Sequence, residues 1–289
     1  MLKKRVVATL VVRDGMVVQS IGFCRYLPLG RPQIAVEFLN QWGVDEIVLL
    51  DISATAAGRG PDFGMVREVA KHCFVPLTVG GGISSLEQVR TLIRTGADKV
   101  AFNQAALNMP ELLTRSAEVF GSQCVVAAID AVRYYDASYR VHNYLSRKTT
   151  EQRVGDFAAS LVTQGAGEIF INSVDQDGSK RGFDLPLVRE VCAAVGVPVT
   201  CCGGVGIPEH FAEVFRETSV HAAAASNFFH FTEHSIATTK AILQSRVSVR
   251  QDSHLTYADS TFNSDGRLLK KSDQLLEKMK FARIKRDII

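Results

Sequence analysis

The sequence predicts an α/β fold: a closed (β/α)8 barrel of the TIM type, built from two similar halves and followed by a C-terminal helical extension. Three observations carry this. Eight short, almost wholly apolar runs alternate with eight helical patterns. The chain of 289 residues, 46% hydrophobic, suits the roughly 250 residues such a barrel needs. The third is an internal repeat. GVDEIVLL at 43–50 matches GAGEIFIN at 165–172, VREVA at 66–70 matches VREVC at 188–192, and VPLTVGGG at 75–82 matches VPVTCCGG at 197–204, all offset by 122 residues. VVATLV at 6–11 matches VVAAID at 125–130 at offset 119. Two halves of four β/α units close naturally into an eight-stranded barrel, whereas an open sheet would not need the symmetry.

The expected strands are 5–12, 46–51, 76–79, 99–103, 124–130, 168–173, 198–202 and 221–225. The expected helices lie near 32–42, 62–73, 84–95, 109–119, 152–164, 184–195, 207–217 and 232–244, the third opened by a Ser84/Glu87 capping box. The barrel occupies 1–250, with halves of about 1–120 and 121–250. Residues 251–265 read as a polar linker, and 266–289 as a basic amphipathic helix. That last segment has eight Lys/Arg against three Asp/Glu, while the whole chain has a net charge of +3, so the body is close to neutral. The tail reads as a helix packed on its own barrel or as a docking element for a further protein. Without a basic stripe on the barrel, nucleic acid is not an expected partner.

No apolar run approaches the ~20 residues of a membrane span, and MLKKRVVATLVV lacks the pattern of a signal peptide, so a cytoplasmic protein is expected. Cysteines 24, 73, 124, 192, 201 and 202 show no CxxC spacing and read as buried free thiols. The histidines form no HxxxH or HExxH pattern, so neither a metal nor another cofactor is expected.

In such a barrel, chemistry belongs at the C-terminal ends of the strands. The third and seventh strands run into Gly80-Gly81-Gly82 and Gly203-Gly204, and the fourth and eighth end at Asn103-Gln104 and Ala225-Ser226. Glycine turns present backbone N–H groups that can hold a phosphate, and two turns related by the repeat fit a ligand phosphorylated at both ends. Tight βα turns need glycine anyway, so the purely structural reading stands beside it. Asp130 ends the fifth strand, where its repeat partner is Val11. Asp51, Asp175 and Asp177 add carboxylates that are either loop caps or ligand contacts. At the opposite face, Arg5, Glu46, Lys99 and Glu168 stand at strand starts. Charges there require pairing, so a ring is expected, either a plug or a gate to the barrel axis.

The motifs KRVVA…DG at 4–15, LDI at 50–52, VGGGI at 79–83, GADKV at 96–100, AID at 128–130, GAGEI at 165–169, DQDG at 175–178 and HF at 230–231 make the chain resemble the cyclase subunit of imidazole glycerol phosphate synthase over about 1–250. The resemblance implies a bisphosphate bound across the mouth. Gly81, Gly82 and Asn103, with Asp51 nearby, would serve one phosphate. Asp177, Gly178, Gly203, Gly204, Ala225 and Ser226 would serve the other. It also implies a glutaminase docked beneath the barrel, near Asp98, whose ammonia enters through the Arg5, Glu46, Lys99, Glu168 ring. The family's two catalytic aspartates fall on Val11 and Asp130, a loop lysine on Gln19, a phosphate-site threonine on Gln104 and a seventh-strand serine on Cys202. Losing one of two acid/base groups lowers rates by roughly 10²–10⁴-fold. The pattern therefore most resembles the cyclase-like paralogues of surface-polysaccharide clusters. These pass ammonia to a sugar amidotransferase acting on a nucleotide-linked or lipid-linked sugar in lipopolysaccharide biosynthesis. The alternatives are a genuine cyclase of histidine biosynthesis and a non-catalytic scaffold for the glutaminase.

Overall fold

The computed structural model describes residues 3–232, 234–250, 257 and 260–278. The first half of the barrel runs β1 (Arg5–Arg13), β2 (Met16–Ile21), β3 (Arg25–Gly30), α1 (Pro32–Gln41), β4 (Glu46–Asp51), α2 (Phe63–Ala70), β5 (Leu77–Gly80), α3 (Leu86–Thr95), β6 (Lys99–Phe102), α4 (Gln104–Asn108) and α5 (Pro110–Phe120). The second half runs β7 (Val125–Arg133), β8 (Tyr139–Asn143), β9 (Lys148–Arg153), α6 (Val154–Thr163), β10 (Glu168–Ser173), α7 (Leu185–Ala194), β11 (Val199–Cys202), α8 (Glu209–Glu217), β12 (Ala222–Ala225), α9 (Asn227–His230) and α10 (Ser235–Leu243). A short helix, α11 (Asp273–Lys278), lies in the C-terminal extension.

Strands β1, β4, β5, β6, β7, β10, β11 and β12 pair in parallel in that order, and β12 returns to β1, closing the barrel. Each lies within three residues of its expected bounds. Alternation along the strands sorts their side chains into two cores. One packs between strands and helices and includes Val6, Leu10, Leu49, Phe102 and Ile169. The other fills the bore and includes Val7, Val48, Ala101, Ala128, Phe170, Ala222 and Ala224.

Each half also carries a hairpin at the mouth that the repeat did not reveal. β2 and β3 extend β1 in the first half, and β8 and β9 extend β7 in the second. The first had a local signal: Asp14-Gly15 between apolar runs, both residues at positive φ (51° and 80°), is a hairpin turn. Cys24 sits just past the turn between β2 and β3 and is therefore exposed, unlike the buried Cys201 and Cys202.

Two local expectations are corrected. The cap of α3 is Ser85, whose hydroxyl accepts from the Gln88 N–H, rather than Ser84 with Glu87. The same serine-to-Glu/Gln spacing occurs one residue later, and the Gln88 side chain reaches back to accept from the N–H of Ser84, the residue before the cap. The helix expected from Gly266 begins only at Asp273. Gly266 lies at φ +73° in a turn, and Phe262 bridges Leu268 across it, so the chain there is a small loop. Residues 279–289, the rest of that helix, and most of the linker lie outside the described residues.

The barrel is tied shut at its base by an ion pair. Lys240 of α10 donates to Asp45 at 2.6 Å, both side chains almost fully buried, and the other Asp45 oxygen accepts from the Val6 N–H at 2.7 Å. Burial pushes the Asp45 carboxyl up from its ordinary range, with Lys240 pulling it back. Lys240→Met should cost about 3–5 kcal/mol in urea unfolding, because it leaves a buried carboxylate without its cation. Adding Asp45→Asn, which keeps the acceptor for Val6, should recover most of the loss.

Candidate functional site

At the mouth, the two glycine turns are forced by neighbouring loops. A Cβ on Gly81 (φ +114°) would stand 2.2 Å from the Asp51 carbonyl oxygen, and one on Gly204 (φ +100°) would stand 2.0 Å from that of Gly182. Only glycine permits that approach. The structural and ligand-binding readings therefore coexist: close crossing of loops strips the turns of side chains and leaves backbone facing the mouth.

The second of the two expected phosphate sites is a cavity of about 380 Å³. It brings together Asp177, Gly178, Gly203, Gly204, Ala225 and Ser226 from the loops after β10, β11 and β12. The Ser226 hydroxyl is buried with no hydrogen-bond partner among the described residues. The sequence reading missed Lys180 and the segment Asp265–Arg267, which also line this cavity.

The first site is arranged differently. The Gly82 N–H donates to the Thr55 hydroxyl at 3.2 Å. Asn103 turns its amide toward Asp130, at 2.9 Å, and toward the Ala128 carbonyl, at 3.1 Å. Gln104 reaches Asn143 of β8 at 3.2 Å, bracing the second hairpin against the mouth.

Asp51 and Asp177 build loops with their side chains. One Asp51 oxygen accepts from the N–H groups of Ser53 and Ala54 and from the Ser53 hydroxyl, and the other pairs with Arg59 at 2.8 Å. Asp177 accepts from the Ser20 hydroxyl at 2.7 Å and the Phe23 N–H at 3.1 Å, holding the first hairpin over the mouth. Asn227 holds the same hairpin, bonding both the N–H and the carbonyl of Ser20. Asp175 accepts from the Arg133 N–H at 2.7 Å.

Asp130 is the chemically distinctive group. It is buried on β7 and bonded by Asn103, and burial pushes its pKa up to about 7, against the pull of the Asn103 and Asn172 amides. A carboxyl poised there can both take and give a proton near neutrality. Val11, on β1 across the barrel, offers only an isopropyl group, and Gln19 stands half-buried on β2.

At the opposite end the expected ring is present. Arg5 donates to Glu46 at 2.5 Å and to Glu168 at 2.9 Å, and Lys99 donates to the same two carboxylates at 2.9 and 2.7 Å. Thr78 and Thr200, themselves repeat partners, complete it by donating to Glu46 and Glu168. Burial alone would lower the pKa of Arg5 and Lys99, but the carboxylates outweigh it and hold both cations above their ordinary values. Burial likewise opposes ionisation of Glu168, and the two cations overcome it, lowering that pKa. Asp98 lies exposed on the same face, accepting from the Leu77 N–H at 2.8 Å.

Among the described residues no cluster of His, Cys, Asp and Glu could hold a metal ion, and no helix is long and apolar enough to cross a membrane.

Residues 5–235 match the family model described as histidine biosynthesis protein. The chain is 46% identical over 253 residues to the imidazole glycerol phosphate synthase subunit HisF of Halalkalibacterium halodurans, covering 86% of this chain and 100% of that one. It is 44% identical over 244 residues to the HisF subunit of Streptococcus sanguinis, covering 84% and 97%. It is also 39% identical over 268 residues to the putative imidazole glycerol phosphate synthase subunit hisF2 of Vibrio vulnificus, covering 92% and 98%.

Because its folded pKa is raised, Asp130 keeps its proton in the folded state between about pH 4 and 7, while the unfolded chain has released it. That carboxyl therefore makes stability fall as pH rises through this window. Asp130→Asn should melt higher than the parent at pH 8, with the gap closing toward pH 4. A gap unchanged between the two pH values would show that Asp130 is not held protonated.

Proposed function

The chain belongs to the histidine biosynthesis protein family, as a HisF-like cyclase subunit, and from that premise we propose that it takes ammonia from a glutaminase bound beneath the barrel and uses it at the mouth. The observation that carries this reading is the neutral ring of Arg5, Glu46, Lys99 and Glu168 below an apolar bore in which Ala101, Ala128, Ala222 and Ala224 stand beside Val7, Val48 and Phe170. A small uncharged molecule can cross such a path once one ion pair of the ring opens. A charged metabolite would have to enter a narrow apolar bore, at a large desolvation cost. Asp98, exposed beside the ring, belongs to the docking face. At the mouth, the cavity around Gly178, Gly204 and Ser226 binds a phosphate group of the acceptor, the turn at Gly81 and Gly82 binds a second, and Asp130 exchanges protons with the reacting atoms.

Two acceptors fit this scheme. The names of the relatives support the histidine-pathway bisphosphate, cyclised in the mouth, at least as well as any other. One observation favours a second reading. With Val11 in place of a carboxylate, a two-carboxyl cyclisation lacks half its acid/base pair, and the ammonia would pass on to a sugar amidotransferase of surface-polysaccharide biosynthesis.

Purified barrel supplied with an ammonium salt and the bisphosphate separates the two. The expected result is turnover at least about a hundredfold below an ordinary enzyme, raised by Val11→Asp with Gln19→Lys. A parent rate of about 1–10³ s⁻¹ establishes the histidine reaction instead. In the complex with its glutaminase, Lys99→Glu should leave glutamine hydrolysis running while abolishing its coupling to product. Unchanged coupling would reduce the ring to a structural plug.

A further inference from the structure

The C-terminal extension returns to the mouth. Between Phe262 and Leu268 it forms a closed loop: the Asn263 side-chain oxygen accepts from the N–H groups of Asp265 at 3.0 Å and Arg267 at 2.8 Å. Backbone bonds link the Gly266 N–H to the Asn263 carbonyl and the Asn263 N–H to the Arg267 carbonyl, each at 3.0 Å. Outside these, the Leu269 N–H reaches the Thr261 carbonyl at 2.9 Å. The loop is pressed onto the barrel. A Cβ on Gly266 would stand 2.4 Å from the Pro208 ring, just before α8, and 3.5 Å from Ile242 of α10. Its tip is thereby placed on the wall of the cavity that holds Gly178, Gly204 and Ser226.

This wall lies beyond the stretch shared with ordinary relatives. The family match ends at 235, and the Halalkalibacterium subunit is matched along its whole length by 86% of this chain, whereas the Vibrio hisF2 match extends to 92%. Arg267 is exposed, and its guanidinium has no carboxylate partner among the described residues. A loop tied by four hydrogen bonds and seated on a proline thus carries an uncommitted, bidentate anion donor to a glycine-lined cavity. The same cavity contains an unpartnered buried hydroxyl, that of Ser226.

We propose that Arg267 is a ligand-binding residue of this pocket, gripping from the extension the phosphate group that the Gly178, Gly204 and Ser226 loops cradle. The proposal rests on the phosphate reading of the pocket. It gives the extension a role in recognition: the barrel supplies shape, backbone donors and one cation, Lys180, and the extension adds a second, Arg267. Asp265, two residues before Arg267 on the same wall, works in the opposite sense by repelling the anion.

Inorganic phosphate titrated into the full-length protein, followed by NMR at the backbone amides of Gly178, Gly204 and Ser226, tests this. Arg267→Ala should weaken phosphate binding at those amides by about threefold to tenfold, and Arg267→Lys should weaken it less. Asp265→Asn should tighten it. Opposite signs from two exposed positions on one loop cannot arise from loss of folding. If the parent binds phosphate there and Arg267→Ala binds equally well, the role of Arg267 is overturned while the pocket stands. If the parent amides do not respond, the pocket reading and this proposal fall together.

Discussion

A closed parallel barrel must fill its own axis, and the rest of this molecule follows from how the base of that axis is filled. Four charged side chains from four strands meet there, each cation bonded to both carboxylates and each carboxylate to both cations. Removing any one would strand an uncompensated charge in a poorly hydrated bore. The two glutamates are repeat partners, but the cations come from β1 and β6, and no repeat relates them. The symmetry of the two halves is thus broken at the point where the barrel either closes or admits a small neutral molecule.

Above the ring the bore is mostly apolar, filled by Phe170 with valines and alanines, and Thr9 lies against Cys202. At the mouth the two halves diverge. In the first half, Gly82 and Asn103 are engaged by neighbouring side chains, and Asn103 serves to hold Asp130. In the second, a cavity is lined by glycine turns and an unpartnered serine. Val11 offers no carboxylate on β1, and Asp130, whose burial sets its pKa near 7, faces it alone. One poised carboxyl still permits proton transfer but not a concerted exchange between two.

The hairpins after β1 and β7 show how the mouth is kept in shape. Asp177 and Asn227 pin the first, and Gln104 braces the second. Residues that look like ligand contacts in sequence are engaged by loops: Asp51 through both side-chain oxygens and Asp177 through one. A carboxylate beside a glycine turn caps that turn as readily as it meets a ligand, so composition cannot separate the two roles.

What the sequence determined by itself is whatever depends on period and repetition. The apolar runs, the 122-residue offset and the alternation of strand and helix define a two-halved barrel. The rule that barrel strands end at the site then marks Gly82, Asp130, Gly204 and Ser226 without coordinates. The charge ring was legible for the same reason, since buried strand starts cannot leave charges unpaired. Tertiary structure alone decided which oxygens of Asp51 and Asp177 are spent and that Asn103 serves Asp130. It also decided that a loop around Gly266 crosses back to the second cavity. These are contacts between residues tens to hundreds of positions apart. They are set by loop crossings and by the fit of one turn against Pro208, and no local pattern in the chain encodes such a meeting.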